Sequence, residues 1–164
     1  MSQNMGSAAP RWQRLGIMTA GGLLTVAVAL QFVRFIVPDF KLDNPPVTSV
    51  IQWDSPQTEQ LWKTACADCH SNESVYPWYS YVAPVGWLVA HDVHEGRDKM
   101  NVSVNHHVEF DDMAEEIEEG GMPLPIYLPM HPDANLTDAQ RTQLISGLRA
   151  TFGGSASVFG SNNS

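Results

Sequence analysis

Cysteine is scarce in this chain: Cys66 and Cys69 are the only two in 164 residues. That scarcity counts against a zinc site, which needs more cysteine or well-spaced histidine ligands than one such pair supplies. A dithiol redox pair would sit in the active-site turn of a βαβ fold, and nothing here reads as βαβ. Basic charge is scarce too. Beyond residue 37 there are six basic groups against eighteen acidic ones, a formal charge of −12. A domain with that balance lacks the basic face that nucleic acids require, so nucleic-acid binding is excluded. Acids are absent from residues 1–37, which carry only Arg11, Arg14 and Arg34. No hydrolase or phosphate-binding constellation is present.

What is there is concentrated at Cys66-Ala67-Asp68-Cys69-His70. Two cysteines two residues apart, followed at once by histidine, form the covalent attachment signature of c-type haem. Both sulfurs project from about one helical turn and can each add to a haem vinyl group. The adjacent imidazole of His70 then becomes the proximal iron ligand. The reading is one haem c, covalent through Cys66 and Cys69, and an apolar macrocycle that the polypeptide packs around.

The length suggests one domain with extensions. Residues 1–14 read as a cytoplasmic tail and residues 15–37 as a transmembrane signal anchor. Gly16 to Val37 is 22 residues, and as a helix it would span about 33 Å, enough for a hydrocarbon core. Arg34 can snorkel to the headgroups. The alternative is a cleaved signal peptide, but the stretch is long, no small-x-small site follows closely, and bulky residues precede Pro38. Arg11 and Arg14 place the N-terminus in the cytoplasm and the acidic domain on the periplasmic, extracytoplasmic side of the cell membrane. Residues 38–54 read as a proline-rich linker, a short stiff stalk with one extended segment near Val47–Trp53.

Residues 55–152 read as an all-α haem domain and residues 153–164 as a disordered tail. A first helix starts at Ser55-Pro56, serine as N-cap and proline as first helical residue, and runs into the signature. A second covers Pro84 to about Lys99, with Val85, Leu88, Val89 and Val93 as its apolar stripe and His91 and His94 on the polar side. A third covers about Asp111 to Glu119 and is stopped by Gly120-Gly121. The last begins at Thr137, with Gln140 completing a capping box, and carries Ile145, Leu148 and Phe152 with Leu144 beside them. Gly147 permits close approach of another helix, and Leu61–Ala65 is the expected neighbour. Between the first two helices, Tyr76-Pro77-Trp78-Tyr79-Ser80-Tyr81 puts four aromatics in six residues. These rings are expected to wall the macrocycle, with the Pro77 carbonyl as a candidate acceptor for His70.

Together, Cys-Ala-Asp-Cys-His-Ser-Asn, Tyr-Pro-Trp-Tyr-Ser, Pro84-Val85-Gly86-Trp87, Glu95-Gly96-Arg97, Met122-Pro123 and Tyr127 resemble the bacterial haem-binding domain family of small membrane-anchored c-type cytochromes. The resemblance covers roughly Asn44 to Phe152. It implies one N-terminal membrane helix and one haem. The chain departs from the family pattern at Val102–His107, where family members carry more aromatic character.

Met122, in Met122-Pro123-Leu124-Pro125, is the candidate sixth iron ligand, 52 residues beyond His70. A thioether there favours ferrous iron and raises the potential, and the two prolines reduce the entropy lost in placing it. Met100, Met113, Met130, His106, His107 and His131 compete, His131 foremost through bis-histidine ligation. The expected function is single-electron transfer outside the cytoplasmic membrane with a membrane-bound redox partner, as an electron-transfer protein rather than an enzyme. A subunit role in a respiratory or photosynthetic complex extends that reading. The alternatives are a gas or redox sensor or a peroxidase-like enzyme with an open sixth site, and a structural complex subunit.

Overall fold

The computed structural model describes residues 10–104, 110–153 and 159–161; among these the chain is mostly helical. The order is α1 (Arg11–Leu30), β1 (Ser49–Ile51), α2 (Pro56–Ala65), α3 (Ala67–His70), α4 (Val85–Lys99), α5 (Phe110–Glu118), α6 (Asp138–Phe152) and β2 (Phe159–Ser161). Single 3-10 turns lie at Val33–Phe35, Pro38–Phe40, Trp78–Tyr81, Leu128–Met130 and Pro132–Ala134.

The local signals at helix starts act as the residue types dictate. The Ser55 side chain accepts from the Thr58 N–H at 3.2 Å, with Pro56 as first helical residue. Thr137 and Gln140 form the reciprocal capping box at the start of α6. Gly120 ends α5 in the left-handed region at φ 75°, a conformation that glycine adopts without steric cost. The Met122 N–H then returns to the Glu116 carbonyl at 3.0 Å.

The core lies where α2, α5 and α6 meet, around Trp62, Ile117, Leu136, Leu144 and Leu148. Gly147 does permit a close helix crossing, but its neighbour is Thr58, one turn earlier on α2 than Leu61–Ala65: a Cβ at 147 would run into the Thr58 side chain. The buried face of α6 is Leu144, Gly147, Leu148 and Thr151, with Ile145 and Phe152 only partly covered. On α4 the expected stripe is displaced. Gly86, Ala90, Val93 and Arg97 are buried, while Val85 and Leu88 are exposed. Small residues face inward because α4 packs backbone-close on its neighbours: a Cβ at Gly86 would meet the Ser80 carbonyl, and one at Gly96 would lie 2.6 Å from the Cys69 carbonyl oxygen.

The segment expected as a stalk is held against the helical body instead. The Tyr76 hydroxyl donates to the Asp43 carbonyl at 2.9 Å, the Asn44 amide to the Ser74 carbonyl at 2.9 Å, and the Asn72 amide to the Pro46 carbonyl at 3.0 Å. The Thr48 and Ser49 N–H groups both reach the Ser103 carbonyl. β1 is the extended stretch expected near Val47–Trp53. It pairs antiparallel with β2 in the register Val50 to Gly160, so residues 159–161 of the expected disordered tail are strand; an unpaired edge offers such donors and acceptors to any nearby chain.

The apolar N-terminal stretch is helical from Arg11, and its regular part ends at Leu30 rather than Val37. Residues Arg11–Phe35 are long and apolar enough to cross a membrane; Arg11–Leu30 is exposed along its length, and only the end of the stretch, at Gln31, Val33 and Arg34, is partly covered.

Candidate haem site

α2 leads directly into the signature. The Cys66 N–H still bonds to the Trp62 carbonyl at 2.8 Å, and the next turn, α3, carries Cys69 and His70. Both cysteines are unpaired and half-buried. Burial pushes the Cys66 thiol up to about 12, and burial with the carboxylates of Asp68 and Asp92 pushes Cys69 up to about 11. The thiols are therefore neutral at ordinary pH and resist thiolate chemistry.

His70 is oriented by its backbone surroundings. Its Nδ1 lies 3.2 Å from the Met100 carbonyl. A carbonyl can only accept, so Nδ1 carries the proton and Nε2 presents its lone pair. Burial lowers the His70 pKa, against a smaller lift from that carbonyl, and keeps the imidazole in the neutral form that ligates metal. The acceptor is thus Met100 and not Pro77, whose carbonyl is taken by the Ser80 N–H. The chain leaving α4 supplies it: Val102 N–H bonds to the His70 carbonyl at 3.0 Å, and Asn101, Asn72 and Ser103 lock the turn after α4 through buried side-chain bonds.

Asp68, a spacer position of the motif, has a role that the sequence reading did not assign. Its carboxylate accepts from the Val75 N–H at 2.8 Å and from the Tyr127 hydroxyl at 2.7 Å. The first bond fastens the aromatic segment and the second fastens the loop that carries Met122. Burial and the Asp68 carboxylate together push the Tyr127 phenol far above its ordinary range. Arg97, 9% exposed, does the same for the other side of the site. Its guanidinium donates to the Ser71 carbonyl, the Asp43 carbonyl, Asn44 Oδ1 and Ser74 Oγ, all at 2.8–2.9 Å.

The tyrosines expected as a wall are used as donors as well: Tyr76 to Asp43, and Tyr79 to His131 Nε2 at 3.1 Å. His131 stacks on Tyr127 with ring centroids 3.7 Å apart, and its Nδ1 is held by the Tyr127 carbonyl. Both ring nitrogens of this rival ligand are therefore engaged within the protein. Met122 is half-buried, Met113 packs on the core and Met130 is exposed. His106 and His107 lie outside the described residues. Among the described residues, no group of three or more His, Cys, Asp or Glu is placed to hold a metal ion, the His91/His94 face included.

The residues present fit a haem. Two unpaired thiols sit on one turn beside a neutral, oriented imidazole. Val75, Ile126 and Met130, in the segments tied together by the Asp68–Tyr127–His131 network, are exposed apolar side chains. Residues 25–150 match the family model described as haem-binding domain. The chain belongs to the haem-binding domain family. The match covers most of the chain, including both cysteines, His70 and Met122. No curated protein and no solved structure matches it.

Proposed function

We propose that this haem protein is a membrane-anchored, monohaem c-type cytochrome that carries single electrons on the outer side of the cytoplasmic membrane for a membrane-bound redox partner. The observation that carries the reading is the Cys66–His70 turn with His70 oriented by the Met100 carbonyl. In such a site the haem supplies the one-electron exchange. The chain's own residues hold and tune it. Cys66 and Cys69 would each add S–H across a vinyl group, giving two thioethers, and His70 Nε2 would be the proximal ligand. Met122 is the favoured sixth ligand. Its loop is tied to the signature by the Tyr127–Asp68 bond, whereas His131 would have to give up the Tyr79 bond to ligate.

The membrane reading rests on α1, and on what its end touches. The Gln31 side chain donates to the Ala27 carbonyl and accepts from the Ala83 N–H at 2.9 Å, so residues just beyond the apolar helix are part of the folded domain. Cleavage after the helix would remove a piece of that packing, which favours an uncleaved anchor.

The test is the near-infrared methionine-to-iron band of the oxidised protein. It is expected in the wild type and lost in Met122→Ala, with a lower reduction potential in the mutant. Absence of the band from the wild type removes Met122 as ligand and returns the sixth position to an open site or another side chain.

A further inference from the structure

Beyond the apolar helix, a second group of apolar side chains is largely exposed among the described residues. Tyr81 is 50% exposed, Val82 44%, Val85 46% and Leu88 41%. Tyr81 and Val82 close the turn that precedes α4, and Val85 and Leu88 share one side of its first turns. This surface adjoins the end of the anchor. Gln31 bonds to the Ala83 N–H, the Phe40 ring stacks on Trp87 at 5.2 Å with 10° between planes, and the Arg34 guanidinium lies 5.6 Å from the Tyr81 ring centre. Phe32, Phe35 and Ile36, on the same connection, are exposed as well. The haem signature is at the other end of α4, where Gly96 lies on Cys69. Val85 and Leu88 precede Gly96 by eleven and eight residues, about 12–17 Å along the helix.

We propose that the Tyr81–Leu88 surface sits in the lipid interface beside the anchor, as a second, non-spanning membrane contact that fixes how the haem domain stands on the bilayer. The proposal rests on α1 crossing the membrane. Three observations select lipid as the occupant. The surface is continuous with the end of the apolar helix, it combines aliphatic side chains with a tyrosine of the kind that anchors at headgroups, and beside it lies Arg34, packed on the Tyr81 ring, a cation of the kind that reaches headgroups along its stem. α4 then acts as a rigid spacer that holds the signature at a set height above the membrane. The acidic domain gives anionic headgroups no role, so zwitterionic lipid suffices.

The two native cysteines are consumed by the haem, so an introduced cysteine is a unique label site. The full-length holoprotein in phosphatidylcholine vesicles would carry an environment-sensitive dye at Val85→Cys or Leu88→Cys. Leu23→Cys reports the spanning helix and Thr142→Cys the exposed side of α6. An unchanged haem spectrum establishes that each variant is folded. Dyes at 85 and 88 are expected to be quenched by headgroup nitroxide lipid and shielded from aqueous iodide relative to the dye at 142. Lipid quenching at 23 with full iodide quenching at 85 and 88 overturns the proposal while α1 still spans. Iodide quenching at 23 overturns the spanning reading itself. Protection of 85 and 88 from both quenchers means a second protein copy covers the surface, which also overturns the proposal.

Discussion

Asp68 accepts hydrogen bonds from residues seven and fifty-nine positions away, and so joins three segments that the motif alone leaves separate. The motif CxxCH says nothing about what its spacer positions do, because the attachment chemistry needs only the two sulfurs and the imidazole. Tyr127 and Arg97 belonged to the family resemblance, yet their partners are non-local, and no local pattern encodes them. His131 was legible as a histidine near a methionine. That its two nitrogens are occupied follows only from the placement of Tyr79 and Tyr127. Removing the hydroxyl in Tyr127→Phe takes away a bond to a charged acceptor, worth about 1.5–3 kcal/mol where it is shielded from water. The expected result is a weaker near-infrared methionine band and lower thermal stability of the holoprotein, with haem attachment retained. An unchanged band would mean that the Met122 loop does not depend on Asp68.

At the scale of elements, helix starts were readable because Ser55, Thr137 and Gln140 act within one turn of chain. Burial faces were less so. α4 turns Gly86 and Ala90 inward and leaves Val85 and Leu88 out, because backbone contact with Ser80 and Cys69 outweighs side-chain hydrophobicity there. The reading of residues 38–54 as a stalk failed for a related reason: its prolines forbid a helix but do not forbid packing, and Arg97 and Asn72 supply the partners. The α2–α6 crossing offers a direct check. Gly147→Ala puts a methyl into the Thr58 side chain, itself buried and bonded to Ser55. Overpacking of this kind costs about 1–3 kcal/mol, and a lower melting temperature of the haem-loaded protein is expected. A smaller loss from Gly147→Ala in a Thr58→Ala background, where the clashing hydroxyl and methyl are gone, than in the wild type would show that the clash is responsible, since helix propensity alone favours alanine.

For the whole molecule, the acidic domain, the apolar helix and the haem turn fit the proposed arrangement, in which a redox centre is held on a short, packed connection to a membrane. The basic N-terminal residues and the formal charge of −12 beyond residue 37 were legible from composition. The docking of residues 31–40 on α4 was not, since Gln31 in an apolar run gives no sign of its partner. The proposed electron-transfer role depends on the haem being bonded to the chain. The most direct measurement is the mass of the purified protein after denaturation and extraction into acidified organic solvent, with a count of free thiols. The chain is expected to keep the mass of one haem and to show no free thiol, and Cys66→Ala with Cys69→Ala together are expected to release the haem into the solvent. A wild-type chain that loses its haem to the solvent and shows two free thiols would contradict the account.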